Sequence, residues 1–142
     1  MSLPNFMCIG AAKSGTTTLY DILRQHPEIY VPSFKEPHFF DIPENFDNGL
    51  HWYEKNYYKK ADKKIITDFT PSYFFDENVP KRIFKSLGGD MKFLVIFRNP
   101  VDRAYSHYLH SKRDDHEIEG FEEALELEVS RLKKYKDQSD YL

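Results

Sequence analysis

The stretch that decides the fold class is Cys8–Thr18, which reads CIGAAKSGTTT. It follows a short apolar run, Phe6–Ile9, which predicts a buried strand of a parallel sheet. It leads into residues 16–25, where apolar side chains recur at helical spacing before His26-Pro27 ends the pattern. A strand that enters a helix through a glycine turn is the arrangement of a phosphate-binding loop.

The loop departs from the nucleotide triphosphatase pattern at one position. That pattern is Gly, four residues, Gly, Lys, and then Ser or Thr. Gly10 and Gly15 keep the spacing, but Thr16 stands where the lysine belongs. A lysine is present inside the loop instead, as Lys13. The sequence therefore predicts an anion site whose positive charge has been displaced.

The residue types of the loop suit an anion. Backbone N–H groups at a helix N-terminus attract negative charge, and Gly15 allows the backbone to approach the ligand closely. The remaining candidate ligands of this loop are Lys13, Ser14, Thr16, Thr17 and Thr18. A helix cap with a glycine turn would produce the same pattern. Taken alone, the motif leaves both interpretations open.

Strand and helix signals alternate along the rest of the chain. The alternation predicts an α/β fold, with a P-loop-type central parallel sheet flanked by helices. The pattern predicts strands at 6–9, 29–31, 65–67 and 93–97, helices at 16–25, 51–60, 78–86, 101–112 and 121–135, and an irregular segment at 33–48. We expect residues 93–97 to be the clearest buried strand. Residues 1–142 are expected to form a single domain.

A second strand end also carries polar chemistry. Arg98 follows the strand at 93–97, and Ser106 lies two turns into the next helix, which Pro100 is well placed to start. Ligands of such sheets bind beyond the carboxyl ends of the strands. A surface salt bridge for Arg98 and a neutral helix surface for Ser106 are the plain alternatives. Together with the first loop, these residues predict two separate anion sites and a nucleotide phosphorylated at two positions.

Composition excludes several classes of protein. The net charge of −3 over 142 residues gives no signal for nucleic-acid binding. No apolar stretch approaches the length of a membrane span, and we expect no secretory leader before the first strand. Cys8 is the single cysteine, which fits a reducing compartment, and we expect a cytoplasmic protein. The sequence offers no persuasive cluster of metal ligands.

Several motifs together resemble the sulfotransferase family. GAAKSGTTTLYDIL resembles the loop that binds the 5′-phosphosulfate of the donor, and FLVIFRNPVDRAYSHY resembles the motif that binds its 3′-phosphate. SFKEPHFFD, GLHWYEKNY and TDFTPSYFFDENVPKRI resemble the glycan type, including the heparan sulfate sulfotransferases. The motifs run in family order from Phe6 to about Tyr108. We expect a bacterial member, or the N-terminal portion of one, that lacks its C-terminal part.

The resemblance implies a reaction and roles for single residues. The donor would be 3′-phosphoadenosine 5′-phosphosulfate (PAPS), the product 3′-phosphoadenosine 5′-phosphate, and no metal is implied. Lys13 would contact the oxygen that bridges phosphate and sulfate, where charge builds as the bond breaks. Glu36 would be the base that takes the acceptor proton. His38 and Asp41 would line the same site. A surface carboxylate paired with Lys35 and a packed histidine are the alternatives for Glu36 and His38.

One position departs from the family pattern. Glycan sulfotransferases that read EKTPAYF place a second catalytic lysine before Thr-Pro, and Phe69 occupies that position here. We therefore expect substrate-side chemistry that differs from that of the heparan enzymes, with Asp68 carrying part of it.

Two other functions stay open at this point. A P-loop small-molecule kinase would require Mg²⁺, and a non-catalytic PAPS- or glycan-binding fragment would bind nucleotide without turnover. Fold relationship alone does not separate these from carbohydrate sulfation. The sequence does not identify the small-molecule or glycan acceptor, nor the oligomeric state.

Overall fold

Four parallel strands form one sheet, whose order is β2-β3-β1-β4 in the computed structural model, which describes residues 2–139. The strands are β1 (Phe6–Gly10), β2 (Ile29–Tyr30), β3 (Ile65–Phe69) and β4 (Lys92–Val95). β1 pairs with β3 on one side and with β4 on the other. The helices are α1 (Thr16–Leu23), α2 (Pro43–Asp47), α3 (Gly49–Tyr53), α4 (Val79–Leu87), α5 (Pro100–Arg113) and α6 (Phe121–Ser139).

The chain forms two compact units, and the boundary between them lies between Arg98 and Asn99. The first holds the whole sheet with α1 to α4, and the second holds α5 and α6. The prediction of one domain over residues 1–142 stays a prediction, and Met1 and residues 140–142 lie outside the described residues. The predicted parallel α/β sheet is confirmed.

Side chains alternate along β1 and pack into a different cluster on each face of this strand. Met7 joins a core that includes Phe39, Phe40, Tyr53 and Ile66. Its neighbour Cys8 points to the opposite face. There Cys8 packs with Tyr20 of α1 and Phe69 of β3, whose rings meet edge-on with centroids 5.6 Å apart. This packing seats α1 against the sheet and places its N-terminus just beyond the end of β1.

Three local expectations differ from the structure. The strand expected to be the most buried, β4, has Lys92 and Phe93 exposed, because it lies at an edge of the sheet and has one strand neighbour among the described residues. The segment expected to be irregular contains α2, which Pro43 starts as its first residue. The expected helix at 51–60 is α3 followed by a π-helical turn, Glu54–Tyr58.

The second unit is a helix pair. Asn99 caps α5, since its side chain accepts hydrogen bonds from the N–H groups of Val101 and Asp102 at 3.0 and 3.4 Å. Phe121 of α6 packs against Tyr105 and Tyr108 of α5, with ring centroids 5.1 and 5.2 Å apart. The predicted start of α5 at Pro100 is confirmed.

Candidate active site

The loop between β1 and α1 depends on glycine at both ends. A Cβ atom on Gly10 would lie 2.7 Å from the Cβ of Phe74, so the close approach of these two segments excludes any side chain there. Gly15 has a φ of 95°, in the left-handed region that side chains disfavour. The loop therefore turns from strand to helix within five residues, 11–15, as the sequence predicts.

Four features of this loop fit an anionic ligand. No side chain of the described residues caps the N-terminus of α1, whose first-turn N–H groups lack intrahelical partners. The Ser14 side chain is 8% exposed, and its Oγ has no hydrogen-bond partner among the described residues. Lys13 has a φ of 65°, a strained value that is common where a side chain serves a ligand. The exposed hydroxyl of Thr18 lies in the same first turn.

The end of β4, which is the second polar strand end of the sequence analysis, lies beside this loop. The β1–β4 ladder continues past β4, because Ile96 N–H donates to Gly10 O at 2.8 Å and Ala11 N–H donates to Ile96 O at 2.9 Å. Arg98 follows two residues later and is exposed. Ser106 is half-buried in α5, which belongs to the other unit. A 3′-phosphate site formed by these two residues stays a prediction.

The segment Lys35–Asp41 connects the loop to a carboxylate. Lys35 Nζ donates a hydrogen bond to Thr17 Oγ1 of α1 at 2.8 Å and lies 3.5 Å from Glu36 Oε1. Glu36 Oε2 in turn lies 3.4 Å from His38 Nε2. A continuous line of polar contacts therefore runs from the first turn of α1 to the carboxylate and the imidazole that the family motif singles out.

His38 is held from its other ring nitrogen. Asp41 Oδ2 lies 2.8 Å from His38 Nδ1, and Ser72 Oγ donates to the same Oδ2 at 2.6 Å. The hydrogen bond to Asp41 raises the pKa of His38 above its usual value, although burial opposes that rise. Burial favours the neutral form of Asp41, but the hydrogen bonds from His38 and Ser72 outweigh it and lower the pKa of Asp41. Asp41 thus favours a charged imidazole beside Glu36.

Two residues of this site were not predicted from the sequence. Lys35 appeared only as a possible surface partner of Glu36, yet its side chain is mostly buried and reaches α1. Ser72 lies in the quoted TPSYFF motif, 31 residues beyond Asp41, which it contacts. No spacing along the chain links either residue to its partner, because both contacts are formed by tertiary packing.

Asp68, which we expected to carry part of the substrate-side chemistry, lies in the core, and that role stays a prediction. Its side chain is 0% exposed and is surrounded by hydroxyls of Thr70, Tyr53 and Tyr73. Phe69, at the family lysine position, is also buried and packs under α1. Successive side chains of a strand point to opposite faces. Because β3 is covered on both faces, Asp68 enters the core on one side and Phe69 enters the core on the other.

Within residues 2–139, no group of three or more His, Cys, Asp or Glu side chains is arranged to hold a metal ion. No helix in that part of the chain has the length and apolar character needed to cross a bilayer.

Comparison with known proteins identifies the family. The family model for the sulfotransferase domain matches residues 3–139. Heparan sulfate glucosamine 3-O-sulfotransferase 5 of Homo sapiens is 40% identical over 106 residues, which cover 75% of this chain and 30% of that protein. Heparan sulfate glucosamine 3-O-sulfotransferase 3B1 of Homo sapiens is 41% identical over 115 residues, which cover 80% of this chain and 28% of that protein.

A solved structure agrees with this assignment. A sulfotransferase from Alicyclobacillus acidocaldarius matches with a TM-score of 0.82 and 34% identity, over 94% of this chain and 60% of that one. The chain thus spans under a third of the two curated relatives and about three fifths of the bacterial structure. The family match, the identities and the shared fold agree that this chain belongs to the sulfotransferase family.

Proposed function

We propose that this chain carries the donor loop and the acid–base group of a PAPS-dependent sulfotransferase. The acceptor is a hydroxyl or an amine of a carbohydrate or another small molecule. One observation carries the proposal. The uncapped first turn of α1 and the carboxylate of Glu36 are joined by a single residue, Lys35, through contacts of 2.8 and 3.5 Å. An anion held at α1 is therefore next to a group able to take a proton.

Glu36 and the loop residue Lys13 have separate roles in the proposed reaction. Glu36 takes the proton of the acceptor as the acceptor oxygen or nitrogen forms a bond to sulfur. The bond between sulfur and the bridging phosphate oxygen breaks, and its electron pair stays on that oxygen. Lys13 stabilises the charge that develops there. His38, charged through Asp41, orients the Glu36 carboxylate.

An open pocket of about 580 Å³ adjoins Glu36 and supports the acceptor side of the proposal. Its lining combines the apolar side chains of Phe34, Ile42 and Tyr57 with the polar groups of Glu36 and His38. Phe34 is 62% exposed, and its ring lies 6.3 Å from that of Tyr57. Ligand sites commonly pair apolar walls with a few placed polar groups. A sugar ring has an apolar face for such rings and a hydroxyl for the base.

Nucleotide titration tests the donor assignment. We expect 3′-phosphoadenosine 5′-phosphate to bind without metal and far more tightly than ADP, because the loop and Arg98 would each bind one phosphate group. Arg98→Ala should weaken that nucleotide by about 1.5–3 kcal/mol and leave ADP nearly unchanged. Calorimetry with both nucleotides, with and without Mg²⁺, measures this. Equal affinities, or a strict need for Mg²⁺, would contradict the proposal and favour a kinase.

A further inference from the structure

A buried polar cluster lies behind Glu36 and His38 and has no role in the chemistry described so far. Its centre is Asp68, which is fully buried. Thr70 Oγ1 donates to Asp68 Oδ1 at 2.6 Å, and the hydroxyls of Tyr53 and Tyr73 both donate to Oδ2. Tyr58 OH donates to Tyr53 OH at 3.1 Å. Such a cluster is expensive to bury unless every member is paired, so its presence in the core calls for a reason.

Tyr73 connects this cluster to the segment Lys35–Asp41. Its hydroxyl donates to Asp68 Oδ2 at 3.1 Å and accepts hydrogen bonds from the backbone N–H groups of Phe39 and Phe40, at 3.0 and 3.2 Å. A phenolic hydroxyl has one proton and two lone pairs, so this hydroxyl is fully used. Asp68 thereby fixes the direction of the proton, and the two lone pairs are left to face the backbone.

The backbone held in this way follows directly after His38. His38 has a φ of 50°, in the left-handed region, where a residue with a side chain stays only if its surroundings hold it. Asn45 Nδ2 donates to His38 O at 2.9 Å. The two N–H groups bound by Tyr73 lie on the next two residues. The left-handed turn directs the imidazole between Glu36 and Asp41, 3.4 and 2.8 Å away.

The charges of the cluster agree with this arrangement. Burial raises the pKa of Asp68 to about 6, against the hydrogen bonds that favour its ionised form, so it is a charged acceptor at neutral pH. Burial raises the pKa of Tyr73 well above its usual value, and the phenol keeps its proton. The donor and acceptor directions are therefore defined at neutral pH.

We infer that Tyr73, oriented by Asp68, is a positioning residue for the acid–base pair: it fixes the backbone after His38 and so keeps the imidazole against Glu36. The inference rests on the proposed function for its effect on turnover, while its effect on His38 does not depend on sulfate transfer. Tyr73 itself lies in the core, 2% exposed, and touches no substrate.

Two single-hydroxyl deletions separate positioning from stability. Tyr73→Phe removes the hydroxyl that accepts hydrogen bonds from the backbone N–H groups of Phe39 and Phe40. Tyr58→Phe is the matched control, because it also removes a buried hydroxyl of this cluster, but one that reaches Tyr53 OH and not residues 39 and 40. We expect Tyr73→Phe to lower kcat roughly 10- to 100-fold with donor affinity and acceptor KM nearly unchanged, as for a small misplacement of a reacting group. Tyr58→Phe should keep kcat near that of the wild type.

A second readout keeps the test independent of turnover. The pKa of His38, followed by NMR and assigned with His38→Asn, should fall toward its ordinary value in Tyr73→Phe, because the contact with Asp41 loosens. It should stay raised in Tyr58→Phe. Equal effects of the two variants, or no effect of either, on the His38 titration would overturn the inference. Absence of sulfate transfer in the wild type would overturn the proposed function alone.

Discussion

The proposed donor loop, residues 10–18, and the proposed acid–base segment, residues 35–41, are built in different ways. The loop takes its shape from local backbone: Gly10 and Gly15 allow the turn, and the helix that follows supplies N–H groups. The segment takes its shape from distant side chains, with Thr17, Ser72 and Tyr73 each bonded to part of it. Changes in the loop should therefore act on donor affinity, whereas changes in or behind the segment should act on sulfate transfer.

The largest expected effect separates the two regions directly. Glu36→Gln removes the proton acceptor and keeps the shape of the side chain, so turnover should fall about 10²- to 10⁴-fold. Donor affinity should stay near wild type, because Lys35 retains its bond to Thr17. Sulfate transfer to a panel of hydroxyl and amine acceptors, together with nucleotide titration, measures both quantities.

Glu44→Gln, at an exposed position of α2, is the matched control and should change neither quantity. Transfer near the wild-type rate in Glu36→Gln would move the base elsewhere, with His38 as the next residue to test. Loss of donor affinity together with transfer would show that Glu36 holds the loop, and the two regions would no longer be separable.

The next effect concerns the scaffold behind the segment. Asp68 has a folded-state pKa of about 6 against an ordinary value of 3.8. A raised pKa means that the folded state binds the extra proton, so this group stabilises the fold below about pH 4 and loses that contribution as pH rises to 6. The free energy of unfolding should therefore decline by up to about 3 kcal/mol across this window.

Asp68→Asn should remove this decline of up to about 3 kcal/mol from the pH dependence, since its amide does not titrate and its oxygen still accepts from Tyr53 and Tyr73. Chemical unfolding at pH 4, 5 and 6 measures it. The pKa of His38 is raised, and the pKa values of Asp41 and Glu117 are lowered, so these groups give slopes of their own that both proteins share. The difference in slope between the wild type and the variant therefore isolates Asp68. An unchanged slope in the variant would place the titrating group elsewhere.

A smaller effect is expected from the loop. Lys13→Ala should weaken binding of the 5′ side of the donor by about 1.5–3 kcal/mol, as expected for a charge-assisted contact, and should also lower turnover. Alanine keeps a Cβ atom, so the left-handed backbone at φ 65° is equally strained and the charge alone is tested. Lys81→Ala, exposed on α4, is the control. Lower turnover with unchanged affinity would mean that the loop, like the segment, acts only on transfer.

Local sequence patterns were enough to predict the strands, the helices and the polar loops between them. Glycine spacing, the apolar run before it and the helical period after it predicted β1, the loop and α1, because backbone sterics and side-chain periodicity act over a few residues. The same local signals predicted four strands, a parallel α/β sheet and the two polar strand ends. The resemblance to the family motifs predicted Glu36 and His38 as site residues.

Which of these residues contact one another depends on tertiary packing. Lys35 reaches Thr17 across 18 residues, Ser72 reaches Asp41 across 31, and Tyr73 reaches Phe39 across 34. Packing also buries Asp68 and leaves Lys92 and Phe93 of β4 exposed, against expectation. The physical reason is that burial and long-range hydrogen bonds depend on how elements pack. Packing is set by all of the neighbours at once, whereas turns and periods are set by the residues next in the chain.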